Sequence, residues 1–192
     1  MFTIQSHFMG SFKLGDNINH NLRILTLLYQ FQSQVGIGEK QVLCKPIVVF
    51  IASICEAVLA DLHMRIRLYT LEGVKNVALD VMDHIRSKKI DEFGKYIASA
   101  RKHDFFDAGD TSFYEALDRL RKLRNRIHIQ NDKRHFEPDE HNAFTLSRQE
   151  LAERVLEKVM KTMLAKYSRD RERYACVADF QLPWDEHFTE TQ

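Results

Sequence analysis

Glycine and proline are scarce in this chain, whose 192 residues include only seven glycines and three prolines. An all-β fold needs frequent turns, which depend on these two residue types, so their scarcity argues against such a fold. The formal net charge of +1 gives no global electrostatic case for nucleic-acid binding, which would require a local basic patch. Hydrophobic residues make up 44% of the chain and charged residues 29%, which predicts one globular domain with a real core.

Cysteine and long apolar runs are also scarce. The chain has an odd number of cysteines with no close pair, which fits a reducing compartment and forms neither a disulfide framework nor a zinc site: Cys44, Cys55 and Cys176. The N-terminus lacks the basic flank and continuous apolar run of a signal peptide. The apolar stretch from Ile47 to Ala60 is interrupted by Ser53 and Glu56 and is too short to span a bilayer. We therefore expect a cytosolic protein with no membrane association.

The hydrophobic periodicity predicts an all-α, single-domain bundle of about five to six helices. One expected helix, apolar nearly all round between Ile47 and Leu62, is predicted to be the central buried helix. The expected helices run from Asn17 to about Gln34, Lys40 to about Tyr69, 74–86, 88–102, Ser112 to about Gln130, and Ser147 to about Tyr174. Ser112 with Glu115, and Ser147 with Glu150, have the spacing of capping boxes.

Within the single domain of residues 1–192, the helical core is expected to cover about residues 17–172. The apolar but aperiodic residues 1–16 predict an N-terminal arm extended on the surface. Residues 175–192 contain Pro183 and the lone Trp184 and are expected to form a tail packed on the body or on a partner.

The segment from Arg121 to His128 is predicted to carry three distinct stripes of side chains, where an ordinary surface helix carries two. At roughly 100° per residue, an ideal helix places Arg121, Arg124, Asn125 and His128 within an arc of about 100°. The apolar residues of the segment form a separate arc: Phe113, Ala116, Leu120, Leu123 and Ile127. A solvated arc contains Asp118, Arg119, Lys122 and Arg126. A surface helix needs only an apolar and a solvated stripe, so the extra stripe is a candidate functional surface.

Two interpretations of this stripe are open. In the first, Arg124 grips a phosphate through its guanidinium, His128 exchanges a proton near neutral pH, and Asn125 orients either group. In the second, the segment is a basic solvated helix whose arginines pair with neighbouring acids. Composition alone favours the second interpretation.

The sequence Leu-Arg-Asn-Arg-Ile-His-Ile at 123–129 resembles the signature of the HEPN superfamily, the higher eukaryotes and prokaryotes nucleotide-binding domains. Members share a helical-bundle core and often carry an Arg, four to six residues and then His, with Asn frequent just after the Arg. Here three residues separate Arg124 from His128, whereas six separate Arg121 from His128. Arg124 is followed by Asn125, but Arg121 is not followed by Asn, so the register of the catalytic arginine is ambiguous.

The resemblance implies a metal-independent endoribonuclease of a defence or toxin–antitoxin system, with no cofactor. His128 would draw the proton from a ribose 2′-hydroxyl, and Arg124, with Arg121 nearby, would stabilise the charge on the phosphate. It also implies RNA as partner, a homodimer in which two motifs line one cleft, and an antitoxin or sensor protein. The leading alternative is a non-catalytic HEPN-like helical module that binds a nucleotide or a partner protein. A helical adaptor with no role in nucleic-acid binding is a third possibility.

Glu56 is the only charged residue between Lys45 and Asp61, on the helix expected to be most buried. A buried carboxylate without a partner is costly. In one interpretation, Glu56 fixes the guanidinium of Arg121 or Arg124, as helix acids do in some HEPN proteins. In the other, it lies on the solvent-exposed edge of its helix or pairs with an unrelated basic residue.

No metal site is expected. The acidic group around Pro138 has the spacing of a polar loop rather than of a ligand set: Glu137, Asp139, Glu140 and His141.

Overall fold

Seven helices and a two-stranded sheet make up the described part of the chain in the computed structural model, which covers residues 1–68, 74–107, 109, 111–128, 139–170, 172 and 177–188. The helices are α1 (Phe12–Gln34), α2 (Ile37–Leu68), α3 (Leu79–Arg86), α4 (Phe93–Lys102), α5 (Thr111–Asn125), α6 (Glu140–Ala143) and α7 (Leu146–Tyr167). The strands are β1 (Phe2–Ile4) and β2 (Phe180–Leu182). The predicted all-α, single-domain fold is confirmed.

Helix α2 lies at the centre of the bundle, where it packs against α1, α3, α4, α5 and α7. Its buried residues extend from Cys44 to Ile66, and the remaining side between these residues is half-buried. By length and composition alone α2 is also apolar enough to cross a membrane, and half of its most apolar stretch is buried inside the protein. The packing makes α2 the core helix that the sequence predicts.

Local capping moves several helix ends from their predicted positions. Helix α1 begins at Phe12 rather than Asn17, because the hydroxyl of Ser11 accepts a hydrogen bond from the backbone N–H of Leu14 at 3.3 Å. Helix α5 begins at Thr111, so Ser112 lies in its first turn.

Helix α7 is also shorter than predicted. Its N-cap is Thr145, whose hydroxyl accepts a hydrogen bond from the N–H of Arg148 at 3.4 Å, so the predicted cap at Ser147 is wrong. The helix ends at Tyr167 rather than near Tyr174, since Ser168 is extended. The helix is therefore flanked by Thr145 and Ser168, and neither end lies at the predicted residue.

The two chain ends belong to the folded body. Strands β1 and β2 pair antiparallel, and Ile4 lies opposite Phe180. Phe8 and Met9 are buried, so the expectation of an arm on the surface is wrong. Trp184 is 5% exposed and packs against Tyr29 with ring centroids 5.8 Å apart, which places the C-terminal segment on the body as expected.

Two buried glutamates of α7 hold this C-terminal segment. Glu157 is fully buried and accepts hydrogen bonds from the backbone N–H groups of His187 at 2.9 Å and Phe188 at 2.8 Å. Glu153 accepts from the hydroxyl of Tyr29 and lies 3.0 Å from Nε2 of His187. These acids, which the helical pattern would place on a solvated face, are instead internal partners of the chain end.

A buried ion pair on α2 connects the start of α1 to the end of α7. Asp61 and Arg65 are each 1% exposed, and Nε of Arg65 lies 3.1 Å from Oδ2 of Asp61. Asp61 also accepts hydrogen bonds at 2.8 Å from the backbone N–H groups of Gly10 and Ser11, at the start of α1. Arg65 donates to the carbonyl oxygen of Tyr167, at the end of α7. A Cβ at residue 10 would lie 2.6 Å from the Arg65 side chain, so this contact requires glycine.

Asp61→Asn should destabilise the fold by about 3 kcal/mol, because the substitution leaves the Arg65 guanidinium buried without its counter-charge. Urea unfolding followed by circular dichroism measures the change. Asp83→Asn is the matched control, since Asp83 is 77% exposed and should leave the midpoint nearly unchanged. Equal midpoints for the two variants would show that the buried pair does not anchor the chain.

Candidate functional site

Helix α5 carries the motif and presents its apolar side to the core. Phe113, Leu120 and Leu123 are buried as predicted, and α5 packs against α2, α4 and α7. The α-helix ends at Asn125, before the predicted end near Gln130. Residues 129–138 lie outside the described part of the chain.

The backbone from Leu123 to His128 is wound more tightly than an α-helix. The backbone N–H groups of Arg126, Ile127 and His128 donate to carbonyls three residues earlier, at 3.0, 3.1 and 3.4 Å. Side chains three residues apart eclipse in such turns, so His128 follows the direction of Asn125 rather than that of Arg124. The imidazole is exposed at the end of the helix.

In the same turns, two neighbouring residues have the opposite exposure to the one predicted. Ile127, predicted on the apolar side, is 57% exposed, whereas Arg126, predicted in the solvated arc, is 9% exposed. Nε of Arg126 lies 3.0 Å from Oε1 of Glu140, whose other oxygen contacts Lys45. The ion pair therefore occurs at the point where the backbone departs from the α-helix.

The described residues of the acidic group around Pro138, which are Asp139, Glu140 and His141, have structural roles. Burial tends to raise the pKa of Glu140, but the hydrogen bonds from Lys45 and Arg126 outweigh this effect and lower the pKa. Asp139 accepts from the N–H of His141 at 2.8 Å and caps α6. Glu137 lies outside the described residues, and within the described ranges no group of acidic, histidine or cysteine side chains has the geometry of a metal site.

Arg124 forms an ion pair with Glu56 of α2, Nη2 against Oε2. The Arg124 side chain is 35% exposed and that of Glu56 is 23% exposed, so water screens the pair only in part. Of the two arginines offered by the sequence, the structure thus brings Arg124 to Glu56. This contact joins α5 to α2 through one nitrogen of the guanidinium, and about a third of the arginine side chain stays exposed.

Arg121 is held within its own helix instead. Its Nε lies 2.7 Å from Oδ1 of Asp118, which also contacts Lys122 at 3.0 Å. Burial tends to raise the pKa of Asp118, but hydrogen bonds from these two cations lower it overall. The arginine side chain passes Gly94 of α4, where a Cβ would make an ordinary van der Waals contact with it.

The two arginines of the stripe are each paired with one carboxylate, Asp118 and Glu56. Lys122 of the neighbouring solvated arc also contacts Asp118, so the five groups together carry one positive charge in excess. Arg121, Arg124 and Asn125 are half-buried, and His128 lies beyond them in the solvent. The arrangement can bind a phosphate and expose an imidazole beside it.

Tyr96 of α4 lies close to Glu56, and no pattern in the sequence indicated this. Its half-buried ring packs against His63 with centroids 5.0 Å apart. Burial raises the pKa of Tyr96, and the negative charge of Glu56 raises it further. Only the packing of α4 against α2 and α5 brings these residues together.

No family model matches the chain, and no curated protein or solved structure is significantly similar to it. Any function must therefore be argued from the motif and from the geometry of its surroundings.

The Glu56–Arg124 pair should show measurable coupling in a double-mutant cycle with Glu56→Gln and Arg124→Gln. We expect roughly 1 kcal/mol in the free energy of unfolding, because the pair is more shielded than a surface ion pair. The matched cycle uses Glu150→Gln and Arg154→Gln, an exposed pair on α7. Equal coupling in the two cycles would show that Glu56 does not fix the guanidinium.

Proposed function

We propose that this protein is a metal-independent endoribonuclease of HEPN type, cytoplasmic and acting in a defence or toxin–antitoxin setting. The observation that carries the proposal is the Glu56–Arg124 pair, which holds one arginine of the motif from a second helix. The acid that pairs with Arg124 lies on the central helix α2, whereas the partner of Arg121 lies on α5 itself. Arg121, Asn125 and His128 extend the same surface.

In the proposed mechanism, His128 removes the proton from a ribose 2′-hydroxyl. The 2′-oxygen attacks the adjacent phosphorus, and the bond to the 5′-oxygen breaks. Arg124 binds the non-bridging oxygens with the N–H groups that Glu56 leaves available, and Arg121 adds positive charge nearby. The products are a 2′,3′-cyclic phosphate and a 5′-hydroxyl. DNA lacks the nucleophile, so RNA is the substrate.

The leaving 5′-oxygen needs a proton, and one copy of the motif supplies a single histidine. A two-fold homodimer that faces two stripes supplies the second histidine as the acid. Ile127 supports this arrangement, because a large apolar side chain that is 57% exposed lies directly beside His128. The isologous contact would cover Ile127 in both copies. An antitoxin or sensor protein would act on the same surface.

A non-catalytic module that binds a nucleotide or a partner protein is the second candidate. Its support is that both arginines already contact carboxylates and that His128 forms no side-chain hydrogen bond with either arginine within the described residues. Such a site can hold a phosphate without cleaving it. RNA that is bound but recovered intact would favour this candidate.

RNA cleavage should persist in EDTA and disappear in His128→Ala, because the proposed chemistry uses an imidazole and guanidinium groups. A gel assay with labelled single-stranded RNA measures cleavage, and the products should carry cyclic phosphate ends. His20→Ala is the matched control, since His20 is an exposed histidine of α1. Loss of activity on chelation alone would refute the metal-free mechanism.

Arg124→Ala should cost more in turnover than Arg121→Ala, on the order of 10²-fold, because Arg124 is the arginine that Glu56 fixes. Arg124→Lys should rescue poorly, since an ammonium cannot reproduce the guanidinium fork. Arg119→Ala, at an exposed arginine on the opposite side of α5, controls for loss of charge. If Arg121→Ala is inactive and Arg124→Ala is mild, the six-residue spacing is the working motif.

The purified protein should be a homodimer at micromolar concentration, and Ile127→Arg should convert it to a monomer with little cleavage activity. The monomer is expected because the substitution would bury two positive charges at the two-fold axis without counter-charges. Light scattering measures the mass, and Leu27→Arg on α1 is the control at another exposed apolar residue. A strict monomer that retains activity would refute the composite site.

A further inference from the structure

Strand β1 has one free edge. In the described part of the chain the sheet contains two strands, and β1 is hydrogen-bonded to β2 along its other edge. Beyond this pairing, no backbone group of a described residue pairs with Phe2, Thr3 or Ile4. Strand β2, by contrast, packs against helix α1. The backbone groups on the free edge of β1 are therefore available to a partner.

A groove of about 650 Å³ lies beside β1. Its walls come from β1 and the next residue, from α7 and from the C-terminal segment: Phe2, Thr3, Ile4, Gln5, Lys161, Leu164, Ala165 and Glu186. Side chains of a strand alternate between its two faces, so a cavity on one face would be lined by every second residue. This groove is lined by four consecutive residues, and it therefore runs along the edge of β1.

The sequence of β1 leaves this edge unprotected. Proteins commonly shield a free edge with a lysine, a proline or a β-bulge. Phe2, Thr3 and Ile4 include none of these residues, favour strand conformation, and pair with β2 in a regular register. Successive residues of an antiparallel pair direct their N–H and C=O groups alternately to the inner and the outer edge. The groove is therefore offered both hydrogen-bond donors and acceptors.

The charged side chains of the groove already have partners. Nζ of Lys161 lies 3.0 Å from Oε1 of Glu157, and it also contacts Glu186 and the carbonyl oxygen of Phe188. On the α7 side, Leu164 is half-buried and Ala165 is exposed. Among the described residues, the groove thus offers backbone hydrogen bonds and apolar surface rather than an unpaired charge.

This combination of groups matches an extended peptide segment. A row of backbone N–H and C=O groups is complemented by the backbone of another strand, which would lie about 4.8 Å from β1. Alternate side chains of that strand would contact Leu164 and Ala165 of α7. A volume of about 650 Å³ is in the range of ligand pockets. The groove therefore accommodates a short segment rather than a second folded copy of the chain.

We propose that the groove between β1 and α7 is a docking site for an extended segment of a partner protein, which adds to β1 as a third strand and places alternate apolar side chains against Leu164 and Ala165. The proposal is independent of the proposed function, because none of the lining residues named above belongs to the motif of α5. It gives the protein an interaction surface of its own for a partner that exposes a strand.

A phage library of random heptapeptides supplies the probe. Peptides selected on the parent protein are synthesised, and fluorescence anisotropy measures their binding. Ala165→Trp should weaken binding at least tenfold, because an indole at this exposed residue fills the groove without entering the core. Ala98→Trp, at an exposed alanine of α4 outside the groove, is the matched control and should bind as the parent does.

Methylation of single backbone nitrogens in the peptide distinguishes strand pairing from side-chain contact. A strand that pairs along one edge uses the N–H groups of every second residue. Methylation at one set of alternate residues should therefore abolish binding, whereas methylation at the other set should change it little. Peptide binding should also slow hydrogen exchange of amides within residues 2–5 of the protein.

Three results overturn the docking site: a selection that yields no binding peptide, equal binding by folded Ala165→Trp and the parent, or no alternation among the methylated peptides. If circular dichroism shows that Ala165→Trp is unfolded, the methylated peptides and the exchange measurement on the parent protein decide in its place. Light scattering tests the other occupant. A dimer that Ala165→Trp abolishes and Ala98→Trp retains would show that a second copy fills the groove, and would refute the partner segment.

Discussion

The burial of α2 is the constraint on which the rest of the structure depends. Five helices pack against it, so each buried polar side chain on α2 needs a partner inside the protein. Asp61 pairs with Arg65 and holds the start of α1 and the end of α7, whereas Glu56 pairs with Arg124 of the motif helix. His63 satisfies only one of its two ring nitrogens. The contacts that stabilise the bundle and the contacts that define the candidate site thus share one helix.

The electrostatics of the site follow from this arrangement. Both arginines of the stripe have carboxylate partners, but the partners differ in kind. Asp118 lies on the same helix as Arg121, and this contact survives any movement of α5 as a whole. Glu56 lies on α2, so the position of Arg124 depends on how the two helices pack. In the proposed mechanism, this difference is the reason for giving Arg124 the main role in phosphate binding and Arg121 a supporting one.

The end of α5 shows how tertiary contacts override a local pattern. The sequence predicts an ideal helix through Ile127, with that residue on the apolar side. Arg126 instead turns inward to Glu140, the backbone tightens after Asn125, and Ile127 is left exposed beside His128. The stripe predicted from an angle of 100° per residue is therefore distorted at the end that carries His128. An exposed isoleucine at that point gives the proposed dimer its apolar contact.

The sequence by itself determined the helical class, the central place of α2, the apolar side of α5 and the need of Glu56 for a partner. These features follow from hydrophobic periodicity and from the cost of burying a lone charge, which act within one helix. Only the tertiary structure decided that the partner is Arg124, that β1 pairs with β2, and that Tyr96 packs against His63. Each of these contacts joins residues on different elements, and neither periodicity nor propensity specifies which faces of separate elements meet.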